Sequence, residues 1–146
     1  MGIALNLYEN DFFAWTQEQA KLIKAKAFDK LDMIHLFEEV ESMGASEVRG
    51  LENRLEILLI HLLKWEHQPG FRGKSWQLTI KEQRNRIKRR LKKMPALKSQ
   101  LNEAFIDSYA DAIYGAAKET GLDETSFPQS CAWSVEQVLD DSFLPN

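Results

Sequence analysis

The chain reads as all-α: an up-and-down antiparallel helical bundle of five to six helices, forming a single helical domain over residues 1–146. Three observations predict this. Apolar residues recur at steps of three and four in successive stretches. Caps and helix breakers punctuate those stretches at short intervals. No stretch alternates apolar and polar residues for long enough to make a strand. Short connections make successive helices neighbours, so the antiparallel arrangement is the economical one.

Each element has its own justification. The first helix starts after Asn10 or Asp11 as N-cap and runs to about Ala27, with Phe12, Trp15, Leu22 and Ile23 at helical spacing. The second runs from about Asp32, a possible N-cap, to Met43, and Gly44 stands where a left-handed residue ends a helix. Its stripe is Met33, Leu36, Phe37, Val40 and Met43. Ser46 can cap the third helix, which stops at Gln68-Pro69-Gly70. Leu51, Leu55, Leu58, Leu62 and Trp65 mark one face of it, widened by Leu59 and Leu63, so this helix is expected at the centre. Ser75 is a plausible cap for a fourth helix, about Trp76 to Lys93, with Trp76, Ile80, Ile87, Leu91 and Met94 inward and Pro95 stopping it. The fifth spans about Ala96 to Thr120, with Leu101, Phe105, Tyr109, Ala112, Ile113 and Ala116 inward and Gly121 at its end. Ser134-Val135-Glu136-Gln137 fits a capping box for a last short helix to about Asp140.

Composition bounds the setting. At 146 residues, 44% hydrophobic and 28% charged, the chain suits one globular domain with a sizeable core. Cys131, a lone cysteine, makes no internal disulfide, which points to a reducing compartment and a cytoplasmic location. No apolar run approaches the roughly 20 residues of a membrane span, and the N-terminus lacks a basic-then-apolar leader pattern.

The formal charge of −3 hides a segregation. Residues 1–70 hold 7 basic and 12 acidic residues, 71–98 hold 11 and 1, and 99–146 hold 1 and 9, giving −5, +10 and −8. The basic segment admits two readings. One is a nucleic-acid surface of Arg72, Lys74, Lys81, Arg84, Lys88, Arg89, Arg90, Lys92 and Lys93, since clustered cations gain from counterion release on phosphate. The other, favoured by the acidic remainder and the absence of a binding motif, is internal pairing. Glu103, Asp107 and Asp111 recur every four residues and, in a hairpin about Pro95, lie alongside Lys81, Arg84, Lys88 and Lys92.

Polar residues also fall in or beside the apolar stripes: Glu38, Glu41, His61, Gln83 and Arg84. Brought together they form either a network that fixes helix register or a small-molecule or metal site between helices. Metal spacing is poor, with no Glu-x-x-His and with His61 and His67 on different sides of a helix. Neither a phosphate-cradling glycine loop nor a Gly-x-Ser-x-Gly elbow is present, no cofactor is implied, and Cys131 reads as a small, partly buried thiol. The resulting expectation is a protein-interaction module without catalytic activity, with a protein partner or self-association and no membrane. A ligand-binding or enzymatic bundle and nucleic-acid binding are the alternatives.

The run Glu52-Asn-Arg-Leu-Glu-Ile-Leu-Leu-Ile-His61-Leu-Leu-Lys64-Trp65, followed by Gln68-Pro69, Arg72, Ser75-Trp76, Ile80 and Gln83-Arg84, resembles a bacterial family catalogued as domain of unknown function number 29. The flanks agree: Tyr8 with Asp11-Phe-Phe-Ala-Trp15, Glu38-Glu-Val-Glu41-Ser-Met43-Gly44, and Phe127-Pro128 through Trp133 and Asp140 to Phe143-Leu-Pro145. The resemblance implies an all-helical single domain found in bacteria. It carries no assigned activity.

Overall fold

A computed structural model describes residues 7–146; the reading of the chain's first six residues lies outside it. Among the described residues every regular element is helical. Residues 7–10 form a helical turn, followed by α1 (Phe12–Lys24), α2 (Met33–His67), α3 (Lys74–Lys93), α4 (Leu101–Thr120) and α5 (Val135–Leu139), with short 3₁₀ turns between them. The all-α expectation therefore holds. The chain divides into two compact units, Met1–Ser46 and Glu47–Asn146.

Several boundaries follow their local chemistry. The Asp11 carboxylate caps α1 by accepting from the Ala14 N–H. Ser134 and Gln137 form the reciprocal capping box at α5, and Gly121, at φ 77°, ends α4 in the left-handed region. Others differ from expectation. Gly44 does not end a helix: the expected second and third helices are one continuous α2 of 35 residues. A helical glycine costs about 1 kcal/mol relative to alanine, and no proline lies near it to remove a hydrogen bond. Continuing the backbone ladder wins. Helix α3 starts two residues early, with Gly73 as its N-cap and no side-chain cap from Ser75. The chain after Pro95 is 3₁₀ through Gln100 before α4 begins.

In the first unit, Trp15, Gln19 and Asp32 are buried. The Trp15 indole N–H donates to Asp32 Oδ2 at 3.0 Å, and the Asp32 N–H donates to Gln19 Oε1 at 2.8 Å. These bonds fasten α1 to the start of α2. Asp32 is also the N-cap of α2, its side chain accepting from the His35 N–H at 3.3 Å and its carbonyl from the Leu36 N–H at 2.9 Å.

The second unit is an up-down-up arrangement of the rest of α2, α3 and α4. Gly50 of α2 lies against Arg90 of α3, while Lys64 lies over the Trp76 ring at α3's start, so this pair is antiparallel. Ser108 donates to the Glu52 carbonyl at 3.0 Å and Lys64 pairs with Glu119 at 2.7 Å, so α4 runs parallel to α2. The expected leucine face, Leu51, Leu55, Leu58, Leu59, Leu62, Leu63 and Trp65, is buried at the centre with Ile80, Ile87 and Leu91 of α3. Small residues let α4 approach: Ala112 and Ala116 are fully buried, and a Cβ on Gly115 would stand 2.4 Å from Ile60 Cδ1. Trp76, Leu101, Ile113 and Trp133 pack partly buried against this core.

Candidate functional site

The N-terminal part of α2 carries the most unusual surface of the first unit. Its apolar stripe, expected to face inward, faces out: Met33 is 63% exposed, Phe37 63%, Val40 59% and Met43 61%, and the neighbouring Ile34 is exposed too. Only Leu36 of the expected set is half-buried. Phe12, Phe13, Ile23 and Phe28 of the same unit are also exposed, which corrects the inward placement expected for Phe12 and Ile23.

The physical reason is an inversion of the usual amphipathic helix. Asp32, His35, Leu36 and Glu39 share the face of α2 that packs inside the unit, at spacings of three, four and seven. Asp32 Oδ2 lies 2.7 Å from His35 Nδ1. The Tyr8 ring stacks on the His35 ring at 3.8 Å and meets Trp15 edge-on at 4.8 Å, and the Tyr8 hydroxyl donates a short hydrogen bond to Glu39. A polar and aromatic network thus occupies the inner face, leaving the apolar stripe outside. Burial pushes the Asp32 carboxyl up, but hydrogen bonds from His35 and Trp15 outweigh it and hold the group below its ordinary value. Donation to the Glu39 carboxylate pushes the Tyr8 hydroxyl up to about 12.

Of the five polar residues singled out above, Glu38 and Glu41 stand exposed on the first unit, beside the apolar stripe. His61, Gln83 and Arg84 belong to the second unit and form no hydrogen bond with one another. His61 Nδ1 lies 2.8 Å from the Ile57 carbonyl of its own helix, and burial holds its pKa below the ordinary 6.5. Gln83 is buried with Oε1 unpartnered. Arg84 is a buried anchor: Nε donates to the Val138 carbonyl at 2.8 Å and Nη2 to the Phe143 carbonyl at 2.7 Å. These bonds tie the C-terminal segment to α3.

The basic surface is also partitioned. Arg72 is half-buried, its Nε donating to the Trp65 carbonyl at 2.6 Å and its guanidinium 5.2 Å from the Trp65 ring. Lys74, Lys81, Lys88, Arg89, Lys92 and Lys93 are exposed, with Lys88 paired to Asp141 at 3.0 Å. Arg90 is held by Glu47 at 3.0 Å. The expected pairing with the acidic stripe does not occur: among the described residues Glu103, Asp107 and Asp111 make no ion pair with α3. Asp111 instead lies near Glu56 of α2, whose carboxyl is raised by burial and by that like charge. Arg54 and Arg86, absent from the sequence-derived set, join Arg89, Arg90 and Lys93 around one cleft.

Burial pushes the half-buried Cys131 thiol up, which keeps it protonated near neutrality. Among the described residues no group of three or more His, Cys, Asp or Glu side chains is placed to hold a metal ion, and no helix is long and apolar enough to cross a membrane.

The fold and these surfaces define an all-α protein with an open apolar helix face on its first unit and an arginine-lined cleft in its second. The chain belongs to the family of the domain of unknown function DUF29, whose model matches residues 7–144. No curated protein and no solved structure matches it.

Proposed function

We propose that the protein is an interaction module whose first unit binds a basic amphipathic helix of a partner protein. The observation that carries this reading is the outward apolar stripe of α2. Met33, Phe37 and Val40 follow one another by four and three residues, the spacing by which one helix presents anchors to another. A contiguous exposed apolar patch marks an interaction surface, and methionines at its two ends supply the adaptable contacts common on helix-binding faces.

The charge around the stripe supports the choice of partner. Beside the stripe stand the exposed carboxylates of Glu38 and Glu41, and from Leu31 to Ser46 the chain carries no lysine or arginine. The first 46 residues hold 4 basic and 8 acidic residues, a balance of −4. An apolar strip rimmed by carboxylates is complementary to a helix whose apolar face is rimmed by lysine or arginine, which steers encounter as well as fixing register. A second copy pairing through this stripe brings carboxylate rims together, so self-association is disfavoured. A polar interior and an apolar exterior in one short unit suit binding better than catalysis.

The test is a fluorescence titration of the whole chain with a labelled Leu/Lys amphipathic helical peptide and its Leu/Glu counterpart. The reading expects saturable binding of the basic peptide, at least about tenfold tighter than the acidic one. Phe37→Ser with Val40→Ser abolishes the preference while leaving the fold intact, because both side chains are exposed. Equal binding of both peptides, or a dimer in light scattering that the double variant dissolves, contradicts it.

A further inference from the structure

We infer that the second unit holds a binding site for a compact chain of adjacent phosphates, as in inorganic triphosphate or the phosphate tail of a nucleotide, in the cleft lined by Arg54, Arg86, Arg89, Arg90 and Lys93. The cleft is an open depression of about 420 Å³ between α2 and α3. On α3, Arg86, Arg89, Arg90 and Lys93 follow at spacings of three, four and seven, so they share one face. On α2, Glu47, Gly50 and Arg54 do the same and face them.

The charges do not cancel. Five cations line the concavity against one carboxylate, Glu47, and with Glu82 beside Arg86 counted as well a balance of +3 remains. Glu47 takes Arg90 at 3.0 Å, and Arg86 reaches Glu82 at 3.5 Å on the solvent side. Among the described residues no carboxylate lies within ion-pair distance of Arg54, Arg89 or Lys93. Like charges stacked at these helical spacings repel one another. An anion seated among them relieves that repulsion, and guanidinium forks pair with phosphate oxygens two at a time.

One arginine is seated in advance. A Cβ on Gly50 would stand 2.0 Å from Arg90 Nη2 and 2.8 Å from its Cζ, so the guanidinium lies directly on bare backbone. With Glu47 at its other edge, Arg90 has a defined place in the wall rather than a solvent rotamer. Glu47 opposes an anion, and its pairing with Arg90 spends that opposition locally.

The net +3 favours a compact polyanion over a single phosphate. A triphosphate carries about −4 near neutrality, against −1.5 to −2 for a single phosphate group. An extended nucleic acid needs cations along a track, yet residues 99–146 carry −8 and display Glu103, Asp107 and Asp111. Those charges repel a long polyanion that a compact one does not reach.

Calorimetry on the whole chain at low ionic strength tests the proposal with sodium triphosphate, ATP, orthophosphate and a 20-nucleotide DNA. Triphosphate is expected to bind saturably, at least about tenfold tighter than orthophosphate. ATP binding as triphosphate does assigns recognition to the phosphates alone, and ATP binding more tightly assigns the site to a nucleotide. Arg54→Gln with Arg89→Gln weakens triphosphate about tenfold or more. Gly50→Ala is the sharper variant: it removes a helix-interior glycine, so the thermal midpoint holds or rises, while Arg90 loses its seat and triphosphate affinity falls severalfold. No saturable triphosphate binding, wild-type affinity in the double variant or in Gly50→Ala, or tighter binding of DNA than of triphosphate overturns it.

Discussion

The two units are built from helices of similar amphipathic pattern, and they dispose of their apolar stripes in opposite ways. In the second, Leu51, Leu55, Leu58 and Leu62 of α2 are fully buried against α3 and α4. In the first, Met33, Phe37, Val40 and Met43 of the same helix lie more than half exposed, and a network of Trp15, Asp32, His35 and Tyr8 takes the inner face. Spacing places a stripe on a helix; which face turns inward depends on what the neighbouring helix offers. Here α1 offers an indole N–H that binds the Asp32 carboxylate, and Asp32 and Tyr8 in turn hold the His35 ring, so these groups take the place of methionine and phenylalanine.

That contrast is open to breaking by mutation. The largest effect belongs to the closed core: Leu58→Ala should cost about 3 kcal/mol in urea denaturation, whereas Phe37→Ser in the open stripe should change stability by less than about 0.5 kcal/mol. Equal costs would mean the stripe is covered. Next is Arg84→Gln, which removes two charge-assisted bonds to carbonyls and should cost about 2 kcal/mol. Hydrogen exchange of residues 138–143 should quicken more than that of α2. Third is Asp32→Ala, which takes away an N-cap and the Trp15 and His35 partner, for about 1 kcal/mol. Its mark is a shift of the Trp15 indole N–H resonance.

Two pH effects are smaller and act in the same direction. Because Asp32 titrates below its unfolded value of 3.8, its contribution is complete above that pH. It is lost as pH falls through the lower folded value, and the Trp15 indole resonance should report it in an acid titration. Burial lowers the His61 pKa below 6.5, so the neutral form is the folded one. Its contribution is complete above 6.5 and declines as pH falls toward the folded value. The urea midpoint of wild type should drop more between about pH 7.5 and 5.5 than that of His61→Asn.

Much of the fold was legible in the sequence. The leucine face of α2 was readable because seven large apolar side chains at steps of three and four need burial. The caps at Asp11, Asp32 and Ser134 were readable because their chemistry is local. Gly44 misled because its cost of about 1 kcal/mol cannot stop a ladder that nothing else interrupts. The sites were less legible, since they depend on pairings between helices. Arg72 and Arg84 look like surface cations in a basic run, yet each reaches a backbone carbonyl. The acidic stripe of α4 does not meet α3: the two helices run antiparallel as expected, but α4 turns Asp111 toward Glu56 of α2 instead. Arg54 escaped notice because the cations that complete its cleft lie more than thirty residues away. Gly50, between Glu47 and Arg54 on one face, was the signal available.

On this reading the first unit's outward apolar stripe is a binding face and the second unit's core is closed. Amide chemical-shift mapping with the Leu/Lys helical peptide tests it most directly. Saturating shifts should concentrate at residues 12–43, strongest around Phe37 and Val40, with the amides of Leu55, Leu58 and Ile87 unmoved. Shifts centred on the second unit, or none at peptide saturation of a control helix-binding protein, contradict it.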